Sequence, residues 1–276
     1  MVNRTIELLT KETIDQIAAG EVVERPASAV KELVENAIDA GADAVTIEIR
    51  EGGKRLIRVT DNGCGIPAEQ IRKAFMRHAT SKIRRAEDLA AVESLGFRGD
   101  ALSSIAAVSR VECITKTADA LTGVRYRIEG GTESSCEEVG APDGTTFLVR
   151  DLFFNTPVRE KFMKTAATEG SHVRMAVESL VLSHPDTAFT FLQDGRTVLV
   201  TDGRGDVRSV VYQIYGREIA RSLIPFRAEE TGIRVAGFLG TAAAARGNRA
   251  GELFFVNGRP VKNETLSKAA EDGNHG

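Results

Sequence analysis

The chain has 276 residues, 42% of them hydrophobic, and a formal net charge of −3. That apolar content supports a packed core and excludes a disordered chain, and the charge gives no global basic field, so any contact with nucleic acid has to be local. Cys64, Cys113 and Cys136 form no paired spacing, the four histidines are scattered, and there is neither a long apolar run nor a basic-then-apolar leader. A disulfide framework, a zinc site, a membrane span and a signal peptide are therefore not expected, and a cytoplasmic setting is.

In chain order, a short arm precedes a helix expected from about Thr13. Pro26 suits a first helical turn and Gly41 a helix end, with Val30, Leu33, Val34, Ala37 and Ile38 at helical spacing between them. Glu32 and Asn36 lie one turn apart on another face, a carboxylate and an amide able to hold a water and a hard cation. Val45, Ile47 and Ile49 alternate as a strand, Gly52-Gly53 turns the chain, and residues 56–60 return. Asp61 stands where that strand breaks into Asn62-Gly63-Cys64-Gly65. Either piece alone reads as an ordinary wet helix face, with Glu32, Glu35 and Asp39, or as an ordinary turn. Together they spell ExxxN on a helix, a hairpin, then DxGxG.

Residues 66–108 hold no clear strand. A helix is expected from Pro67 and Glu69 towards His78, followed by Ala79-Thr80-Ser81-Lys82, a polar stretch, and Gly96-Phe97-Arg98-Gly99 feeding a helix at 101–108. A glycine-flanked loop before a helix suits a phosphate cradle, and Asp100 equally suits a plain N-cap. The length and lack of strand character of residues 76–100 suit a lid. Strands are expected at 111–113, 124–128 and 145–149, a helix at 168–184, and a hairpin at 189–192 and 197–201. Gly203 and Gly205 mark a boundary, giving segments 1–204 and 205–276. The second carries a helix at 206–215, strands at 233–239 and 253–256, and a local basic cluster of Arg246, Arg249, Arg259 and Lys262.

The stretches IAAGEVVERPASAVKELVENAIDAG, DNGCGI, RHATSKI, LGFRGDALSSIAAVS and DLFFNTPVREKF stand in this order from residue 17 to residue 162. The helix, hairpin and DxGxG combination resembles the nucleotide site of gyrase, Hsp90 chaperones and histidine kinases, and these longer stretches resemble the MutL mismatch-repair family. The resemblance implies an α+β fold: a two-layer sandwich of the Bergerat ATPase type, with a mixed, mainly antiparallel sheet, then a smaller α/β domain like domain 2 of ribosomal protein S5. It implies binding and hydrolysis of ATP with magnesium, Glu32 as general base and Asn36 as magnesium ligand. Asp61, Gly65, Ile66 and Thr145 would hold the base, and Thr80, Ser81, Lys82, Leu95, Gly96, Phe97, Arg98 and Gly99 the ribose and phosphates. It further implies a nucleotide-dependent homodimer, weak non-specific DNA contact through Arg259, and partners of two kinds, a MutS-like mismatch recognition protein and a downstream nuclease or helicase. Two departures stand out. The family's usual glutamate is Asp100 here, and its VHPxKxEVRF segment, whose lysine reaches the terminal phosphate, does not occur. The second domain is therefore expected to be incomplete and hydrolysis slow, with a non-hydrolysing nucleotide-dependent clamp as the alternative.

Overall fold

A computed structural model describes residues 10–79, 99–241 and 249–273. The first part runs α1 (Lys11–Val22), α2 (Pro26–Asp39), β1 (Ala44–Arg50), β2 (Leu56–Asp61), α3 (Ile71–Ala74), α4 (Ala101–Ala107), β3 (Arg110–Lys116), β4 (Gly123–Glu129), β5 (Thr132–Val139), β6 (Gly144–Arg150), α5 (Pro157–Phe162), α6 (Ala166–Ser183), β7 (Ala188–Gln193) and β8 (Arg196–Val200). The second runs α7 (Val207–Tyr215), α8 (Arg217–Ser222), β9 (Leu223–Glu230), β10 (Ile233–Gly240), β11 (Phe254–Val256), β12 (Arg259–Val261) and α9 (Glu264–Gly273).

Strands β1 to β8 form one sheet in the order β5-β4-β3-β6-β2-β1-β7-β8. Every neighbouring pair is antiparallel except β1 with β7. The sheet is thus mixed and mainly antiparallel, and α2, α4 and α6 cover one face of it. Alternation explains the two faces. Val45, Ile47 and Ile49 of β1 and Ile57 and Val59 of β2 turn inwards and are buried. The residues between them make the outer face, where Glu48 pairs with Arg58 at 2.6 Å and Glu112 with Arg127 at 2.7 Å. Such cross-strand ion pairs let a half-wet face persist without a second layer.

Helix α2 begins with Pro26 in its first turn, where a missing N–H costs nothing, and ends before Gly41 at φ 74°. Its stripe of Ala29, Val30, Leu33, Val34 and Ala37 is fully buried against α6 and β2. Thr165 caps α6, its hydroxyl accepting from the Thr168 N–H at 3.2 Å.

Several boundaries differ from expectation for identifiable reasons. The helix expected to reach His78 shrinks to α3, because Phe75 turns inwards to stack beside Tyr126 at 5.1 Å and Phe147 at 6.4 Å. Strand β5, TESSCEEV, is an addition to the expected strands: it is a polar edge strand with no apolar alternation. The second part holds two separate two-stranded sheets, β9 with β10 and β11 with β12. A two-residue turn, Asn257-Gly258, closes the latter, with φ 49° and 76°.

Candidate functional site

The sheet's register organises the site. On the helix-covered face, two cross-strand rows are apolar: Ile49, Ile57, Val149, Val111 and Ile128, then Ile47, Val59, Phe147, Cys113 and Tyr126. The next row reads Val45, Asp61, Thr145 and Thr115. Three polar side chains therefore occupy positions that the pleat assigns to the core, and all three are buried. A buried carboxylate without a cationic partner is costly unless hydrogen bonds hold it. Asp61 Oδ1 accepts from the Gly63 N–H at 2.9 Å and the Thr145 N–H at 3.3 Å. Both amides go to one oxygen, and among the described residues Oδ2 has no hydrogen bond. Burial pushes the Asp61 carboxyl above the usual aspartate range, and the two amides pull it partly back.

Thr115 joins the row to the glycine loop. Its Oγ1 accepts from the Ile66 N–H at 2.9 Å and donates to the Gly144 carbonyl at 3.0 Å, which leaves Thr145 as donor in the 3.0 Å contact between the two hydroxyls. Sequence reasoning misses Thr115 because it ends this strand at Cys113. The alternation Val111, Cys113, Thr115 carries the signal. Replacing Thr115 by valine keeps the shape and strands the Ile66 amide. A loss of about 1–3 kcal/mol is expected, seen as a lower urea midpoint at unchanged slope. An unchanged midpoint would mean that the hydroxyl does not hold the loop.

Backbone packs closely around this row. A Cβ on Gly144 (φ 104°) would stand 2.2 Å from the Asp61 carbonyl oxygen, and one on Gly65 (φ 71°) 2.2 Å from that of Lys116. No side chain fits at either position. Asn62 fixes the other side of the loop, its Oδ1 accepting from the Asp43 and Ala44 N–H groups at 3.1 and 3.0 Å. The Cys64 N–H reaches the Ala40 carbonyl at 2.9 Å, so the DxGxG loop is tied to the end of α2.

On α2, Glu32 and Asn36 are both half-buried. The Glu32 side chain is 26% exposed and lies 3.9 Å from Lys31 Nζ. Glu35 is not the wet residue that an amphipathic reading allows. It is buried, with Lys31 at 3.0 Å, and burial raises its carboxyl above the ordinary range despite that partner. Asp100 does not cap α4 through its side chain. Its Oδ1 accepts from the His78 N–H at 3.0 Å. Gly99, at φ 69°, meets Ala79 so closely that a Cβ would stand 2.8 Å from the Ala79 carbonyl oxygen. Thr80, Ser81, Lys82, Leu95, Gly96, Phe97 and Arg98 lie outside the described residues, as does Arg246 of the basic cluster. Arg249 is bound to Glu271 through two 2.8 Å hydrogen bonds, which reduces that cluster, and Arg259 begins β12.

Residues 24–141 match the family described as histidine kinase-, DNA gyrase B-, and HSP90-like ATPase, and residues 211–275 match the one described as DNA mismatch repair protein, C-terminal domain. The chain is 60% identical to the DNA mismatch repair protein MutL of Agathobacter rectalis over 97% of its own length and 41% of that protein. It is 49% identical to that of Desulforudis audaxviator over 98% of its length and 48% of that protein. The chain thus spans less than half of these relatives. Among solved structures, the Aquifex aeolicus MutL ATPase domain complexed with ADP is 32% identical, with a TM-score of 0.70, covering 91% of this chain and 88% of that one. The N-terminal domain of a DNA repair protein superposes at a TM-score of 0.79 with 25% identity, covering 94% and 81%. On sequence and fold together, this chain belongs to the MutL family of DNA mismatch repair proteins, in the part that carries its ATPase domain.

Proposed function

We propose that this chain is the ATP-binding and ATP-hydrolysing part of a mismatch repair protein. The observation that carries the reading is the polar row at the end of an otherwise apolar sheet face, where Asp61 is buried with one oxygen tied to two amides and the other left over. Such an oxygen suits a flat ligand with an exocyclic amino donor. Asp61 accepts the adenine amino proton, and Thr145 and the Gly65-Ile66 backbone complete the base site. Glu32 orients and deprotonates the attacking water. Asn36 would help hold magnesium, which would supply positive charge against that of the phosphates. Residues 80–82 and 95–99 hold ribose and phosphates and close over them. Positioning and charge then suffice for phosphoryl transfer, with no covalent step on the protein. Nucleotide-driven pairing of two copies, recruitment of a MutS-like protein and of a nuclease or helicase, and weak DNA contact through Arg259 complete the proposal, with the two parts of the chain divided near residue 204.

Calorimetric titration with magnesium and either ATP or GTP tests the base site. ATP is expected to bind and GTP is not, because guanine presents a carbonyl to the Asp61 carboxylate. Equal binding of both, or of neither, would overturn the reading. Affinity is also expected to fall on acidification. The Asp61 carboxyl is raised in the folded protein, so the ionised acceptor is lost at a higher pH than an ordinary aspartate near 3.9 would give. ATP affinity that stays flat down to that pH would show that the carboxylate is not the acceptor.

A further inference from the structure

Outside the nucleotide site, the helical elbow of α7 and α8 borders an open surface depression of about 310 Å³ lined by Asp206, Arg208, Ser209, Tyr212, Arg217, Ala220 and Arg221. Its charge is lopsided. Three arginines and one aspartate line it, and Asp206 is already committed: its Oδ1 accepts from the Arg208 N–H at 3.0 Å and its Oδ2 from the Ser209 hydroxyl at 2.6 Å. Arg208 is held in place, donating to the Leu223 carbonyl at 2.8 Å and lying 5.8 Å from the Phe238 ring centre.

Arg217 and Arg221 differ from several other arginines of the chain. Arg174, Arg234 and Arg249 each have a carboxylate within 3.4 Å. Arg217 and Arg221 are exposed, and among the described residues neither has an ion pair. They stand one turn apart on α8, where like charges repel unless an anion lies between them. Tyr212, 49% exposed and lining the same depression, adds an aromatic surface.

We propose that this elbow is a phosphate-binding pocket that engages the backbone of DNA. Guanidinium pairs grip phosphate oxygens as bidentate donors, and an exposed aromatic beside them suits a sugar or base. With the whole chain at −3, a pocket of this sign is the local patch that DNA contact requires. It is separate from the nucleotide site, stands independently of the ATPase reading, and is distinct from Arg259.

The test is fluorescence anisotropy of a short labelled DNA duplex with the wild-type chain and the Arg217→Ala/Arg221→Ala variant. At low salt, the variant is expected to bind about tenfold or more weakly, and the slope of log K against log salt should fall by about 2, one for each lost phosphate contact. ATP affinity should not change, which separates this outcome from any failure of the nucleotide site. The Arg217→Lys/Arg221→Lys variant should recover much of the binding, which shows that an alanine loss is not misfolding. An Arg196→Ala/Arg227→Ala variant removes the same charge from exposed positions elsewhere, and an equal loss there would overturn the assignment. So would unchanged DNA binding in the alanine variant. If inorganic phosphate raises the melting temperature of the wild type and not of that variant while DNA binding is equal in both, the pocket takes free phosphate and the DNA proposal fails.

Discussion

Asp61→Asn is expected to make the protein more stable and to weaken ATP binding together. Burial raises the Asp61 carboxyl above its unfolded range. A group shifted in that direction favours folding below its unfolded pKa, and that contribution is lost as pH rises through the folded value. At neutral pH the ionised side chain is therefore a net cost, which a neutral amide removes. The asparagine oxygen can still accept from the Gly63 and Thr145 amides. On the proposed base site, its NH₂ would then meet the adenine amino group, donor against donor. A melting temperature about 2–4 °C higher, the effect of roughly 1 kcal/mol in a domain of this size, should accompany a roughly 10–100-fold loss of ATP affinity. The stability gain should vanish near pH 4. A variant that is destabilised at neutral pH, or that binds ATP normally, would remove Asp61 from its role. With Asp61 in the proposed role, this is the trade in which a binding group sits in the core at the expense of stability.

Glu32→Ala is expected to separate binding from chemistry. The Glu32 side chain is partly exposed on a helix whose packing stripe lies elsewhere, and alanine is the best helix former, so fold and ATP affinity should stay near wild type. Single-turnover hydrolysis should slow by about 10²–10⁴-fold, the usual worth of a general base. A parallel loss of affinity would make Glu32 a binding residue, and undiminished turnover would place the base elsewhere.

The parts legible in the sequence are those whose two faces differ. Strands β1 and β2 alternate cleanly around Gly52-Gly53, and α2 carries one apolar stripe between Pro26 and Gly41, so both are legible nearly in full. The candidate site residues on them, Glu32, Asn36 and Asp61, come with those elements. Thr115 does not, because a threonine at a strand end looks like any β-branched residue until its neighbours across the sheet are known. Nor do β5 and β9, which have no buried face to write a period into the sequence: β5 is a polar edge, and β9 is exposed along nearly all its length. The Asp100 contact with His78 is invisible for another reason, since the segment between them carries no local pattern that brings its ends together.

The single parallel pair in the sheet constrains the order in which the chain can fold. Some antiparallel neighbours are available early, as β1 and β2 close through a tight turn, whereas β2 waits for β6 on its other side. The far edge of β1 has no such partner until β7 arrives, when Ala44 meets Ala188 and Ile47 meets Phe191. During synthesis, that edge and the apolar side chains beside it wait for nearly the whole ATPase segment to leave the ribosome. Long-range parallel pairing of this kind is intrinsically slow and leaves an open strand for other chains to join. A nascent chain stalled before β7 is thus the form of this protein with the greatest need of a chaperone.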